Sequence, residues 1–125
     1  MASQVSTKME KKSINNAPDE TREFEKGKIQ ITNVGGEPIG RFVFEPGWKW
    51  STSVKPIVKT DSCQQTHTGY IVSGRMRVRM NDGTEAEAGS GDAIYVPPGH
   101  DAWTVGNEPC VGIDFTGAKT YAKNN

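Results

Sequence analysis

The chain has 125 residues, and its 15 lysines and arginines balance 15 aspartates and glutamates, so the formal net charge is zero. A chain of this length fits one domain with one hydrophobic core. Without net charge there is no extended field of one sign, which disfavours nucleic acids and membrane surfaces as partners.

The cellular compartment is predicted from what the sequence lacks. No stretch approaches the roughly 18 apolar residues that a membrane-spanning helix needs, and residues 1–12 lack the apolar core of a secretory signal. We therefore expect a cytoplasmic protein. Two cysteines, Cys63 and Cys110, are too few for a disulfide-rich secreted scaffold, and a reducing compartment would keep both as thiols. A bridge between them is an open alternative.

Residues 1–20 are polar and almost free of large apolar groups, so they predict a flexible N-terminal tail. From Gly27 onward, short β-rich runs alternate with glycine, proline and Asn-Asp clusters, a pattern typical of an all-β sandwich or barrel. We expect the folded domain to span residues 21–118, followed by a C-terminal tail at 119–125. Ten short strands with little helix are predicted, at 28–32, 41–45, 52–59, 62–66, 69–73, 75–80, 85–88, 93–96, 102–105 and 110–115.

The clearest strand is the run at 75–80, where strict alternation places three arginines on one face and three apolar side chains on the other. Asn81, Asp82 and Gly83 then supply residues that tolerate positive φ, as a tight hairpin requires before the strand at 85–88. The arginine face is interpreted as a solvated outer face, with an anion-binding patch as the alternative.

Two glycine-rich segments, GYIVSG at 69–74 and GDAIYVPPG at 91–99, resemble the two conserved boxes of the cupin family. The residues of each box have a physical role. Glycine adopts the backbone angles that tight turns need, and the Pro-Pro-Gly run turns the chain at the barrel rim. The resemblance covers about residues 40–117. It implies an antiparallel double-stranded β-helix, the jelly-roll barrel of cupins, and a homodimer through edge strands.

The resemblance also implies a metal site with altered ligands. Cupins commonly bind a divalent metal through two histidines spaced one residue apart, a glutamate four or five residues later, and a third histidine after the second box. At these positions the chain has Asp61, Cys63 and His67, in that order, and then Ala102. His100 lies two residues before Ala102, and we expect it to substitute only if the rim loop bends differently.

The segments 48–50, 67–70 and 97–103 are similar to a subgroup of small bacterial cupins. That similarity implies the fold but does not indicate a reaction.

Asp61, Cys63, Gln65 and His67 alternate along the chain, so in a regular strand all four side chains would project from the same face. Thiolate and imidazole are softer donors than carboxylate, and they suit zinc or iron(II) better than magnesium or calcium. An open position on such an ion would activate a water or bind a substrate oxygen.

Each metal-ligand candidate has a structural alternative. His67 could be a hydrogen-bonded histidine at a strand bend, and Cys63 a small buried residue. Asp61 could be a turn residue. His100 could cap the rim loop, or act as an acid or base at the pocket mouth.

Tyr70 and His100 are the candidates for proton transfer. The aromatic candidates for the pocket wall could equally fill the core. The predicted pocket residues are Gln65, Trp50, Tyr95 and Trp103.

The leading hypothesis is a small-molecule-binding barrel, with a divalent metal, zinc or iron, on non-standard cysteine and histidine ligands. An enzyme alternative is a metal-dependent oxygenase, isomerase or hydrolase acting on a small molecule in the pocket. A metal-free binding or sensor module and a purely structural barrel are also left open, and the sequence does not decide whether the protein is an enzyme.

Overall fold

The computed structural model describes residues 7–117, 121 and 122 of the chain. Within these residues there are nine strands and two helices of four residues each, neither of which is long and apolar enough to cross a membrane. In chain order the elements are β1 (Glu20–Phe24), β2 (Gly27–Val34), β3 (Glu37–Phe44), α1 (Trp50–Ser53), α2 (Lys55–Val58), β4 (His67–Ser73), β5 (Arg75–Met80), β6 (Glu85–Gly89), β7 (Ala93–Val96), β8 (His100–Thr104) and β9 (Cys110–Asp114).

The strands form two antiparallel sheets, one of six strands in the order β1-β2-β3-β9-β4-β7 and one of three in the order β6-β5-β8. The last strand, β9, lies between β3 and β4. The larger sheet is therefore held together by strands that are far apart in the sequence. Both sheets contribute to one hydrophobic core. This architecture confirms the predicted all-β jelly-roll class.

An aromatic stack forms one wall of the core. Phe44 lies between Phe42 and Trp48, with ring centroids 4.7 Å and 3.7 Å away. Alternation along β3 turns Phe42 and Phe44 to the same inward face, and Trp48 follows after a short turn. Large aromatic side chains of this kind supply much of the apolar area that folding buries.

The strand predicted at 52–59 is wrong, since this segment forms α1 and α2. Its β-branched residues favour a strand, but Trp50 and Val54 are buried, and the backbone N–H of Val54 donates to the carbonyl of Trp50. Pro56 lies in the first turn of α2, where backbone N–H groups have no partner within the helix, so its missing N–H costs no helical hydrogen bond. Burial of Trp50 in α1 and of Val54 between the helices therefore overrides the local strand preference, although α2 itself buries no residue.

The strand predicted at 62–66 is also wrong. Cys63 forms only an isolated bridge with His100, and the segment around it is irregular. Conversely, the sequence did not predict β1, whose residues are mostly charged. β1 lies at the edge of the large sheet, and edge strands carry polar residues because one side faces solvent.

The segments predicted as tails contain residues that contact the barrel. In the N-terminal segment, the backbone N–H of Asp19 donates to the carbonyl of Ile31, and its carboxylate accepts from the N–H of Asn33. In the C-terminal segment, Tyr121 is 4% exposed, and its carbonyl accepts a hydrogen bond from Arg22 of β1. The exact domain boundary stays a prediction.

The β5–β6 hairpin has the predicted form, and its arginines face outward. Nε of Arg77 lies 2.6 Å from Oε1 of Glu85 and its Nη1 lies 3.1 Å from Oε1 of Glu87. These ion pairs with the neighbouring strand neutralise the charge of Arg77 within the hairpin. This supports a solvated outer face rather than an anion-binding patch.

Gly74, in the turn between β4 and β5, lies close to the backbone at the start of β9. Its φ is +77°, and a Cβ there would overlap the carbonyl oxygen of Pro109, whereas Gly83 has a φ of +93° with open space around it. Both alanine variants incur the left-handed strain, but only Gly74→Ala adds a clash. We expect Gly74→Ala to lower the free energy of unfolding by about 1–3 kcal/mol more than Gly83→Ala, measured by urea denaturation. Equal losses would contradict this packing.

Candidate functional site

The barrel interior contains a small cavity between the two sheets. The centre of a water molecule can reach a volume of about 40 Å³ there. At about 10–15 Å³ per water centre, this is room for roughly three waters. Among the described residues, the titratable ones lining the cavity are His67, His100, Asp114 and Tyr121, and the rest of the wall is mainly apolar.

Three potential metal ligands converge at one end of the barrel. Cys63, His67 and His100 each offer one ligand atom, and these atoms all lie within 4.8 Å of one another. Sγ of Cys63 is 3.8 Å from Nε2 of His67, and the two imidazole centroids are 5.3 Å apart. His67 begins β4, His100 begins β8, and Cys63 comes from the loop after α2. The cluster could therefore hold a metal ion.

Backbone hydrogen bonds hold Cys63 in place although its segment is not a strand. The N–H of Cys63 donates to the carbonyl of His100 at 2.7 Å, and the N–H of Gly99 donates to the carbonyl of Cys63 at 2.7 Å. The neighbouring Ser62 hydroxyl accepts a hydrogen bond from Nδ2 of Asn81. The loop is thus fastened directly to the second glycine-proline box.

His100 reaches the cluster through ordinary strand alternation. His100, Ala102 and Thr104 are the buried positions of β8, so a residue two places before Ala102 lies on the same inward face. Alternation along β8 is therefore enough to direct His100 to the interior. Nδ1 of His100 lies 2.8 Å from the carbonyl oxygen of Pro97. Because a carbonyl only accepts, Nδ1 carries the proton and Nε2 is left to act as a ligand.

Asp114 orients His67 in the same way. Nδ1 of His67 lies 2.7 Å from Oδ2 of Asp114, and the other carboxylate oxygen accepts from the N–H groups of Thr116 and Gly117 at 3.0 Å. Asp114 is 3% exposed, so this partner is fixed within the interior. Such a contact fixes the histidine tautomer and directs Nε2 towards Cys63, as second-layer carboxylates do in metal sites.

The charges in the cluster are coupled. Burial alone would raise the pKa of the Cys63 thiol, but the neighbouring imidazoles of His100 and His67 outweigh burial and lower the pKa to about 6. Burial alone would lower the pKa of His67, but its contacts with Asp114 and Cys63 raise the pKa to about 9. Between these values, without metal, a thiolate faces an imidazolium.

Cys110 shows the opposite behaviour. It is a free, buried thiol in β9, and burial raises its pKa to about 11. Cys63 is likewise a free thiol, so the structure contains no bridge between the two. Of the two cysteines, only Cys63 has the environment of a reactive or metal-binding thiol.

Asp114 and Tyr121 were not predicted as site residues from the sequence. Asp114 is placed by the register of β4 and β9, where it pairs with Gly69, and no spacing in the chain indicates that pairing. The ring of Tyr121 lies 5.5 Å from that of His67, and burial with the charges of Cys63 and Asp114 raises its pKa well above the ordinary value. Its aromatic character within a polar segment was the one available signal.

Two other candidates of the 61–67 segment lie apart from the cluster. Asp61 is exposed and is not among its ligand atoms, because an irregular segment does not preserve the alternation of a strand. Gln65 is half-buried and does not line the cavity described here. Their predicted roles as metal ligand and pocket residue receive no support from these positions.

The aromatic candidates divide between the two faces of the sheets. Trp50 is 2% exposed and lines the cavity. Tyr70 is 44% exposed and Tyr95 is 66% exposed, and both lie on outward positions of β4 and β7. Trp103 occupies an outward position of β8, with Nζ of Lys49 5.4 Å from its ring centroid. Strand alternation therefore separates Tyr70, Tyr95 and Trp103 from the interior.

Comparison with known proteins supports this architecture. Residues 60–116 match the family model described as a cupin domain. A search of curated proteins finds no match to the chain. A solved structure from Rhizobium leguminosarum, described as of unknown function, has a TM-score of 0.58 and 21% identity, covering 88% of this chain and 97% of that chain.

Two oxalate decarboxylases are also similar in structure. The Lactobacillus farciminis enzyme, in a formate complex, has a TM-score of 0.57 and 19% identity, covering 82% of this chain and 32% of that chain. A variant of the Bacillus subtilis enzyme has a TM-score of 0.58 and 25% identity, covering 82% of this chain and 29% of that chain. The chain thus spans about a third of the length of these enzymes.

The coupling between Cys63 and His67 predicts an unusual pH dependence of alkylation. In metal-free protein carrying Cys110→Ser, we expect the rate of iodoacetamide labelling at Cys63 to rise with pH through a midpoint near 6, because the thiolate is the nucleophile. Peptide mass spectrometry measures the rate. The matched Cys63→Ser variant should label at Cys110 only at much higher pH. A midpoint for Cys63 near that of an ordinary thiol, about 8.5, would contradict the coupling.

Proposed function

Because this chain carries a cupin domain, we propose that it binds a small molecule in the barrel next to a divalent metal ion held by Cys63, His67 and His100. The observation that carries the proposal is the convergence of three ligand atoms within 4.8 Å. Each of the two histidines also has its Nδ1 bound to an acceptor, which leaves Nε2 as the ligand atom.

The distances in the cluster fit a metal ion. In a tetrahedral zinc site, bonds of about 2.3 Å to sulfur and 2.0–2.1 Å to nitrogen place those ligand atoms about 3.6 Å apart. The observed separation of Sγ of Cys63 and Nε2 of His67 is 3.8 Å. The widest separation between two ligand atoms of the cluster is at most 4.8 Å. These atoms would have to approach one another by about 1 Å to reach the spacing of a tetrahedral zinc site.

The donor set favours zinc or iron(II). One thiolate and two imidazoles are soft or intermediate donors, whereas manganese and magnesium prefer oxygen ligands. The structurally similar Bacillus subtilis oxalate decarboxylase has Mn(II) centres. With a cysteine and no carboxylate among its three ligand candidates, this chain is better suited to zinc, and three protein ligands leave a fourth position open.

The residues around the ion would each have a defined task. The bound metal would act as a Lewis acid that polarises an oxygen atom of the bound small molecule or activates a water. Asp114 holds the proton on Nδ1 of His67, and the carbonyl of Pro97 does so for His100. The wall of the cavity is mainly apolar, and such surroundings strengthen the interaction of charges beside it.

The second candidate is an enzyme, a metal-dependent oxygenase, isomerase or hydrolase. The observation that favours it is that only three ligand candidates converge among the described residues and that two of them, His67 and His100, line the cavity. It would use the same ligands and add turnover of the bound molecule. In this version His100 would act as a ligand, and Tyr70, on the outer face, would have no contact with the reacting atoms. The cytoplasmic location and the homodimer stay predictions.

Elemental analysis tests the proposed site. Protein purified without a histidine tag or chelator is expected to contain close to one zinc or iron per chain, and Cys63→Ser and His67→Ala are each expected to lose it. Cys110→Ser is the matched control, because that thiol is buried outside the ligand cluster, and it should retain the metal. Wild-type protein that stays metal-free after reloading with zinc and iron would refute the site and leave a metal-free binding module.

A further inference from the structure

The outward face of the larger sheet is covered by this chain on one side. On β2, Gln30 and Thr32 alternate with the core residues Ile29 and Ile31, yet they are only 5% and 3% exposed. The N-terminal segment lies against this side, since Nε2 of Gln30 donates to the carbonyl of Asn15 at 3.3 Å. The outward side of β2 is therefore not free for a partner.

The other side of the same face, formed by β9, β4 and β7, exposes large apolar side chains. Tyr70 is 44% exposed, Val72 47%, Tyr95 66% and Phe115 52%. These are four of the five exposed large apolar side chains in the described part of the chain, and the fifth, Met9, lies in the N-terminal segment. Single apolar residues are normal on a surface, whereas four on one sheet face form a patch. We call these four residues the apolar patch.

Strand register brings the residues of the apolar patch together. Tyr70 of β4 pairs with Ile113 of β9, and Tyr95 of β7 pairs with Thr68, which lies two residues before Tyr70 and on the same face. The N–H of Phe115 donates to the carbonyl of Thr68 at 2.9 Å, so the pairing of β9 with β4 continues to this residue. The patch therefore extends across three neighbouring strands.

The surface around the apolar patch is uncharged. Every outward position of β4, β7 and β9 holds an uncharged side chain, whereas the outward face of β5 and β6 holds arginines and glutamates. On the next strand, β3, Arg41 is opposite Ile113, and its Nη1 lies 2.9 Å from Oε1 of Gln30 on the covered side. Such a surface offers little to a polyanion or to an anionic membrane.

A second copy of the chain is the partner that an uncharged apolar surface fits. A twofold interface brings the same patch of both copies together, so a patch of one charge would repel itself, whereas apolar side chains attract. The hydroxyl groups of Tyr70 and Tyr95 can both donate and accept, so each can bond to a hydroxyl of the other copy. Tyrosine and phenylalanine are also enriched in protein interfaces.

The area of the apolar patch is large enough to form the centre of a dimer interface. Complete burial of an aromatic side chain removes about 150–250 Å² of surface, so the exposed parts of the four residues amount to roughly 400 Å². A stable dimer of standard size buries about 800 Å² on each partner. The four side chains would supply about half of this area, and the surrounding uncharged positions would have to supply the rest.

We propose that two copies of the chain associate through the apolar patch, so that their larger sheets stack face to face about a twofold axis. This surface differs from the edge strands, through which the family resemblance implies a dimer. The proposal rests only on outward-facing residues, and it does not depend on the metal site.

Sedimentation velocity of the full chain tests the proposal. The wild type is expected to be dimeric at about 10 μM, because interfaces of standard size have micromolar or lower dissociation constants. Tyr70→Lys combined with Tyr95→Lys places like charges against each other, and we expect the dissociation constant to rise at least about 100-fold. Met9→Lys, the same kind of change outside the apolar patch, is the matched control and should stay dimeric.

Circular dichroism of each variant separates loss of the dimer from loss of the fold. Both tyrosines are already exposed, so the spectra should be unchanged, and Tyr95→Lys alone, at the most exposed position, provides a second and milder variant. A monomeric wild type at about 100 μM would overturn the proposal. So would a dimer that persists in the folded double variant, which would place the interface elsewhere. Binding of monomeric wild type to phosphatidylcholine vesicles, lost in the double variant, would assign the patch to lipid instead.

Discussion

The hydrogen bond from Nδ1 of His67 to Oδ2 of Asp114, 2.7 Å long, determines which nitrogen of His67 faces Cys63. With Nδ1 occupied, Nε2 points at the sulfur 3.8 Å away, and the buried carboxylate raises the pKa of His67, which in turn lowers the pKa of Cys63. Asp114 is itself held by the N–H groups of Thr116 and Gly117. The ligand set therefore depends on a carboxylate at the end of β9, the strand that joins β3 to β4.

The fold was predictable because its signals are local and repeated. Glycine, proline and Asn-Asp turns separate short alternating runs, and the hairpin formed by β5 and β6 follows directly from the Arg75–Met80 alternation and the Asn81-Asp82-Gly83 turn. The errors occurred where tertiary contacts override local preference. The segment predicted as a strand at 52–59 lies largely in α1 and α2, with Trp50 and Val54 buried. β1 was missed because its exposed edge permits charged residues.

The site was predictable only in part. Counting from the family boxes predicted Asp61, Cys63 and His67, with His100 two residues before the last ligand position, and the structure brings Cys63, His67 and His100 together. Asp61 was predicted both by the family spacing and by alternation, but the chain from 61 to 66 is irregular and leaves it exposed. Asp114 could not be inferred, because its place beside His67 is set by the register between β4 and β9, a non-local pairing that no spacing along the chain encodes.

The zinc affinity of Asp114→Asn tests most directly whether this hydrogen bond organises a metal site. The substitution keeps the size of the side chain but removes its negative charge, and we expect zinc affinity, measured by competition with a chelator, to fall about 10–100-fold while the protein stays folded by circular dichroism. Asp82→Asn, the same change on the exposed hairpin, should leave affinity unaltered. Unchanged affinity in folded Asp114→Asn would contradict the account.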